Sequence, residues 1–537
     1  MNTPQSIKTI VIKSDNSANI FSWQTALFIA EQLRHTKIKI IHLCDEATKN
    51  GCSSVITTLD TDQLALANKF GIDELYLLKY CQGNHILGDT YQGWSTNQQN
   101  FSLITGDYGV NFNNVEFQHY VAKVTGTTLK EGSDNYYFDI GQCSIAALMA
   151  KHHKFVHPVA DQKSILSTYH YQMNVETTSY IQALKPVLLK AGVLTVSSLP
   201  ENINQKNCFY IDCSSVSKPQ AKPKSALKKT STLIKNSSEQ VDSKTEKSNE
   251  IKICTPAIFK STYIINDKSN SSCLSSQDNL NNNKHRYSAN IINAFDLGWT
   301  KTSFLKSKIV VECYSENEND NEHIFSQFKL TSFFDDIYIK AHLNTPETLV
   351  LLKSTQLKKH ISKHAWVNNH LALGENSFSI EPLGINPLNT LHQDLQRWFK
   401  HFSQTVNDAH LANFYNQVTY QAKQSLVDFV QSHYYLSQWR KNNFWQSSPR
   451  LSEEAEHIFE LFKESGVFPL YEEQLIPENH WIHFLLGFGY VPQHVDPLLQ
   501  GISQEDVSRK LNNLTGQVKI FFNKIPTYQQ YLSSNGL

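Results

Sequence analysis

Glycine is scarce in this sequence, with 20 residues in 537, about half the usual ~7%. Dinucleotide sites place glycine where the backbone must approach phosphate, so the deficit argues against an ordinary phosphate loop. Neither charge is in surplus: Lys+Arg and Asp+Glu are both 49, for a formal net charge of +0. That excludes a generic nucleic-acid or polyanion binder, which carries a basic excess. The nine cysteines contain no C-x-x-C pair, which speaks against a zinc ribbon or disulfide framework and for reduced thiols in a cytoplasmic protein. No apolar run reaches about 18 residues, so no transmembrane helix is expected. The opening MNTPQSIKTIVIKSDN has no long apolar stretch after a basic region, so no signal peptide is expected. H-E-x-x-H and G-x-S-x-G are both missing, and the 22 histidines show no pairing with a carboxylate at ligand spacing. His152 and His153 read as a surface pair, and no metal site is expected.

Aromatics reach 11% and charged residues 18%, a folded, aromatic-rich composition of about three domains or one large two-module protein. KTIVI (8–12) reads as a buried strand, FSWQTALFIAEQLR (21–34) as a helix and KIKIIHLC (37–44) as a second strand. Together they make a βαβ unit of a parallel sheet. Helices are expected at 143–155 and 176–191, the second kinked or ended by Pro186, and a buried strand at 207–213. The character then changes. Residues 214–250 hold eight Lys, nine Ser, four acids and no aromatic, too little apolar surface to order themselves. A strand is read at 251–264 and a Ser/Asn-rich tract at 266–288. The whole of 214–289 is therefore taken mainly as a mobile, protease-sensitive insertion. Amphipathic helices follow at 388–403 and 408–439. The expected organisation is a core of 1–213 and 290–395, the insertion at 214–289, and a helical region at 396–537.

Several segments, in order, resemble one family. WVNNHLALGENSFSIEPLGINPL (366–388) is similar to a W-x-N…F-x-E-P-L-E-S block. Asp428-Phe429, His433-Tyr434 and Phe444-Trp445 match a D-F-x-x-x-H-Y…F-W run. Trp481, Gly487, Gly489-Tyr490 and Pro492 match its W…G-x-G-Y-x-P tail. FYIDCSSV (209–216) looks like its F-I-D-C-S-G strand, and FGIDE (70–74) like its L-G-I-D-E. These are the marks of flavin-dependent tryptophan halogenases. The resemblance implies an α/β fold of the flavin-monooxygenase type: a Rossmann-like FAD module, a substrate module and a mostly helical C-terminal part. It further implies FAD as cofactor, a separate flavin reductase, a homodimer and an indole-type ligand. In such proteins reduced FAD and oxygen oxidise halide. A Lys then holds the oxidant near the indole while a Glu positions or deprotonates it.

The residues that would do this are replaced. The G-x-G-x-x-G loop aligns as Ser14, Asp15, Asn16, Ser17, Ala18 and Asn19, with side chains where phosphates belong and Asp15 adding negative charge. Cys44 ends the second strand where a ribose-binding acid is expected, with Asp45 next. NGCSSV (50–55) stands at a second flavin loop. Gly88 and Trp94 set a register that puts Ile86 at the Lys position, leaving Lys79 as the nearest substitute. After Glu381-Pro382-Leu383, Gly384 and Ile385 replace Glu and Ser; Glu381 reads as a turn cap. Of W-x-W-x-I-P only Gly298 and Trp299 remain. The first reading is a family member impaired in catalysis that acts as a binding or interaction partner, alongside an active paralogue. The second is a working halogenase or oxygenase with a remodelled site. An NAD(P)-type oxidoreductase is disfavoured by the same loop.

Overall fold

The computed structural model describes residues 6–45, 54–95, 100–128, 138–215, 250–252, 258–266, 287–330, 349–402, 408–446, 451–469 and 474–537. The expected βαβ unit is β1 (Thr9–Ser14), α1 (Ile20–Leu33) and β2 (Lys39–Cys44). Strand β1 pairs in parallel with β2 on one side and with Cys208–Asp212 on the other. Val193–Val196 extends the sheet beyond β2, and His370–Ala372 extends it beyond Cys208–Asp212, both in parallel. Trp366–Val367 closes that edge antiparallel. Helix α1 lies on this sheet and is buried around most of its circumference, because Thr177–Lys190 and Pro387–Lys400 pack on it too. Its near-continuous apolar sequence is what an internal helix requires.

There is also a seven-stranded sheet. It runs Leu349–Leu357, Ile258–Asn266, Lys308–Ser315, Gly298–Phe304, Asn290–Phe295, Gly88–Gln92 and Phe101–Ile104. All its pairings are antiparallel except Asn290–Phe295 with Gly88–Gln92. From Pro387 onward the described chain is helical, dominated by Ala409–Leu436 and Gln504–Phe522. No helix among the described residues is long and apolar enough to cross a membrane.

Two local expectations need revision. Helix Thr177–Lys190 runs through Pro186 without ending there. Pro186 and Gln182, whose carbonyl loses its amide partner, both lie on the exposed face, where water takes up the bond. The tract 214–289 also contains structure at the heart of the second sheet. The strand read at 251–264 is realised as Glu250–Lys252 and Ile258–Asn266, and the latter is an internal strand bonded on both sides. The Lys/Ser-rich part, 216–249, and the Ser/Asn-rich part, 267–286, lie outside the described residues. Cys44, Cys81, Cys143, Cys208, Cys213 and Cys313 are buried and unpaired as disulfides.

Candidate functional site

A cavity of about 250 Å³ lies between the start of α1 and the seven-stranded sheet. Its walls run from Ile20 and Phe21 at the start of α1, along the 374–391 segment, to Gly88, Leu103 and Gln172. It thus opens beside the carboxyl end of the parallel sheet, where open α/β sheets bind ligands.

The loop joining β1 to α1 borders this place without lining it. Its amides are spoken for. The Asn16 amide donates to Ser14 Oγ, Ser17 to the Asp45 carbonyl, Ala18 to Asn16 Oδ1 and Asn19 to the Asn16 carbonyl. Asn19 caps α1: its Oδ1 accepts from the Phe21 and Ser22 amides at 3.0 and 3.4 Å. Its Nδ2 donates to the Cys213 carbonyl at 2.7 Å and to Asp15 Oδ1 at 3.3 Å. A helix start that binds phosphate leaves such amides free and unshielded. Here side chains that glycine lacks take up four of the amides, and backbone carbonyls take up those of Ser17 and Asn19. No residue of 14–19 is among those with positive φ, so the left-handed turn that Asn would tolerate is not used. Cys44 ends β2 buried, and Asp45 contributes a carbonyl to Ser17. Most of NGCSSV lies outside the described residues, although Ser54 reaches the cavity wall.

Ile86 is buried on strand Asn84–Ile86, opposite Gln172, and is not part of the cavity wall. Lys79 sits exposed in the last turn of Glu74–Tyr80 and does not reach the cavity either. Gly384 does line it, with φ +68°. A Cβ there would lie 2.8 Å from Phe429 Cε1 and 3.0 Å from His433 Cε1. The D-F-x-x-x-H-Y residues are thus packed directly against the position where a carboxylate would stand. His433 Nδ1 donates to the Phe429 carbonyl, so its Nε2 accepts from the Tyr91 hydroxyl. Burial pulls the imidazole down to about 3, so it stays neutral and fixed. Gly384→Ala is expected to cost about 2–4 kcal/mol, from overpacking and a strained φ, read as a lowered Tm.

The turn-cap reading of Glu381 does not describe its side chain. That side chain is buried, and its Oε1 accepts from Lys359 Nζ at 3.0 Å and from the Tyr434 hydroxyl at 3.0 Å. The Tyr434 oxygen in turn accepts from Trp299 Nε1 at 3.2 Å, and Trp299 stacks on Tyr314 with centroids 3.9 Å apart. The Gly298-Trp299 remnant therefore anchors a buried polar chain. Burial lowers the Lys359 ammonium pKa and Glu381 works against that. Lys359→Met would strand Glu381 as an unpaired buried charge, at an expected cost of about 3–5 kcal/mol. Urea unfolding of the two proteins would measure it, and a loss below 1 kcal/mol would contradict the pairing.

Sequence reasoning missed Lys260, Lys301 and Glu312, which line the cavity from the seven-stranded sheet. Lys260 bonds Glu312 Oε1, and the Tyr314 hydroxyl donates to Glu312 Oε2 at 3.1 Å. Burial pushes the Glu312 carboxyl up, but Lys260, then Lys301 and Tyr314, hold it below its ordinary range. The strand carrying Lys260 was read at 251–264, but nothing in the sequence brings Lys260, Lys301 and Glu312 together; strand pairing does.

A family model described as tryptophan halogenase matches residues 19–215 and 287–504. A flavin-dependent halogenase from Brevundimonas sp. BAL3 superposes with a TM-score of 0.73 at 17% identity, covering 98% of this chain and 99% of that one. A flavin-dependent halogenase from Xanthomonas campestris gives 0.74 at 16%, covering 99% and 98%. Among curated proteins, the tryptophan 6-halogenase of Streptomyces toxytricini is 21% identical over 182 residues. That match spans 33% of this chain and 34% of the relative, so the chain matches the curated relatives over about a third of their length.

Proposed function

This chain belongs to the tryptophan halogenase family, and from that premise we propose that it is a member that no longer holds FAD by its phosphate loop and does not halogenate. It acts instead as a binding protein for a small aromatic ligand of the indole class, or as an interaction partner of an active relative. One observation carries this reading: the amides of residues 16–19, 21 and 22 are all bonded inside the protein. A pyrophosphate would have to break that set and displace Asp15. The absence of a Lys at 86 and a Glu at 384 supports the same reading. The cavity, with Phe21, Tyr314 and Phe378 beside Lys260, Lys301 and Glu312 in its wall, combines aromatic surface with polar groups, as small-molecule sites do. The visible spectrum of the purified protein tests it, since bound oxidised flavin is yellow. A colourless preparation supports the reading, and a stoichiometric flavin band removes it.

The Lys260, Lys301 and Glu312 set favours a second reading, a halogenase or oxygenase with a rebuilt site. It supplies an ammonium and a carboxylate to the same cavity from a different sheet. The two readings separate on turnover.

A further inference from the structure

Beside strand Asn84–Ile86, two imidazoles and a tyrosine hydroxyl close around one carboxylate. Glu74 stands at the start of helix Glu74–Tyr80, where Asp73 caps the helix. Its Oε1 lies 2.9 Å from His85 Nε2 and 2.9 Å from His157 Nε2. Its Oε2 accepts the Tyr171 hydroxyl proton at 2.5 Å. The three donor atoms lie within 4.8 Å of one another. We propose that Glu74 Oε1, His85 Nε2 and His157 Nε2 bind a divalent transition-metal ion of the zinc class, with a fourth position open to water.

The donor set fits. Two imidazoles and a carboxylate are a common zinc set, and sites with three protein ligands keep water in the fourth position. Around a tetrahedral ion with bonds of ~2.0–2.1 Å, the donors sit about 3.3 Å apart. The two 2.9 Å Glu–His separations need to open by a few tenths of an ångström, and the two imidazole nitrogens, within 4.8 Å of one another, must settle at the same spacing. Tyr171 holds the other carboxylate oxygen, leaving Oε1 for the ion.

An outer layer is in place as well. His85 Nδ1 is 2.9 Å from the Tyr528 hydroxyl, which also accepts from the His85 amide at 2.8 Å. Metal-binding histidines regularly anchor their second nitrogen in this way. The hydroxyl oxygen has two lone pairs, so it can accept from Nδ1–H while Nε2 turns to the ion. Phe155 stacks on the His85 ring at 4.3 Å, and Tyr531 closes another side. His85 is fully buried, whereas the His157 side chain is 38% exposed. That gives the ion a way in and the open position a way out. The ion would tie together residue 74, residue 85 and the loop carrying residue 157 beneath the last helix, Tyr528–Ser534. None of this spacing is visible in the sequence, because the fold assembles the ligands from three separate segments.

The experiment uses the full chain, stripped with chelator and titrated with Zn²⁺, then with Co²⁺ as a visible probe. The expected result is one tightly held zinc per chain, an intense four-coordinate Co²⁺ spectrum displaced by Zn²⁺, and a raised Tm for the zinc form. Glu74→Gln and His157→Asn should abolish the cobalt spectrum. Tyr528→Phe should weaken zinc binding roughly 10–100-fold while leaving the spectrum four-coordinate. His157 is partly exposed, so its variant is expected to fold, and circular dichroism checks this. No cobalt spectrum in the wild-type chain, or an unchanged one in folded His157→Asn, overturns the site and leaves a His–Glu–Tyr hydrogen-bond cluster. None of these readouts depends on flavin or on turnover.

Discussion

Tryptophan and free indole are expected to emerge unchanged when the protein is incubated with a flavin reductase, NADH, FAD, oxygen and either bromide or chloride. Two losses underlie this. At position 86 the buried isoleucine can neither donate a hydrogen bond nor trap an oxidant. At position 384 no carboxylate exists. Removing a positioned acid or base commonly costs 10²–10⁴-fold, and groups that act as one unit do not add simply. Restoration is expected to fail as well. Glu at 384 must be placed on a backbone with φ +68°, against Phe429 and His433. Lys at 86 would sit on a buried strand position outside the cavity wall. Ile86→Lys with Gly384→Glu should therefore lower Tm and yield no product. Mass spectrometry of the reaction decides the matter. A halogenated product that depends on the protein would defeat the impaired reading. Its loss in Lys260→Met would then assign the chemistry to the rebuilt set on the seven-stranded sheet.

FAD is expected to bind more weakly than about 1 µM, that is, with less than about 8 kcal/mol, as measured by calorimetry or flavin fluorescence. Binding there would exchange six satisfied amide bonds for phosphate contacts, beside the Asp15 carboxylate. The combined change Ser14→Gly, Asp15→Gly, Asn16→Gly and Asn19→Gly frees the amides of residues 16, 18, 21 and 22 and removes the charge. It should raise FAD affinity at least tenfold, about 1.4 kcal/mol. It should also cost some stability, since the Asn19 cap and its bond to Cys213 are lost. Sub-micromolar binding by the unaltered chain would overturn the closed-loop argument, whatever the outcome of the halogenation assay.

The architecture was legible because its signals are local or carried by whole side chains. The βαβ unit showed in KTIVI, the 21–34 helix and KIKIIHLC, and its strands and helix lie where the apolar periodicity places them. The tryptophan and histidine motifs are visible because each side chain has a fixed structural task. Trp94, Trp439 and Trp445 donate to the carbonyls of Ile292, Gly93 and Phe295, and His433 locks Phe429 to Tyr91. The site was legible only as a set of replacements. That Asn19 would satisfy the helix start from within, or that Glu381 would pair with Lys359, depends on three-dimensional proximity. Lys260, Lys301 and Glu312 share a cavity through strand register, which composition does not report. The Glu74, His85 and His157 grouping has no periodic signature at all.

The parallel sheet draws its strands from Thr9 to Ala372, and this order bears on how the chain comes off the ribosome. Strand Cys208–Asp212 finds β1 waiting, but its other edge is completed only by His370–Ala372. At roughly 5–20 residues per second, the gap lasts about 10–30 s. Throughout it the nascent chain presents an unpaired edge of the sequence CFYID, the kind of template on which other strands add. Phe209 meanwhile lacks the later rings of Trp366 and Trp398 that cover it in the finished protein. The half-made molecule is thus most vulnerable to self-association along one short apolar strand. His370–Ala372 closes that edge, and the two late-arriving indoles cover Phe209.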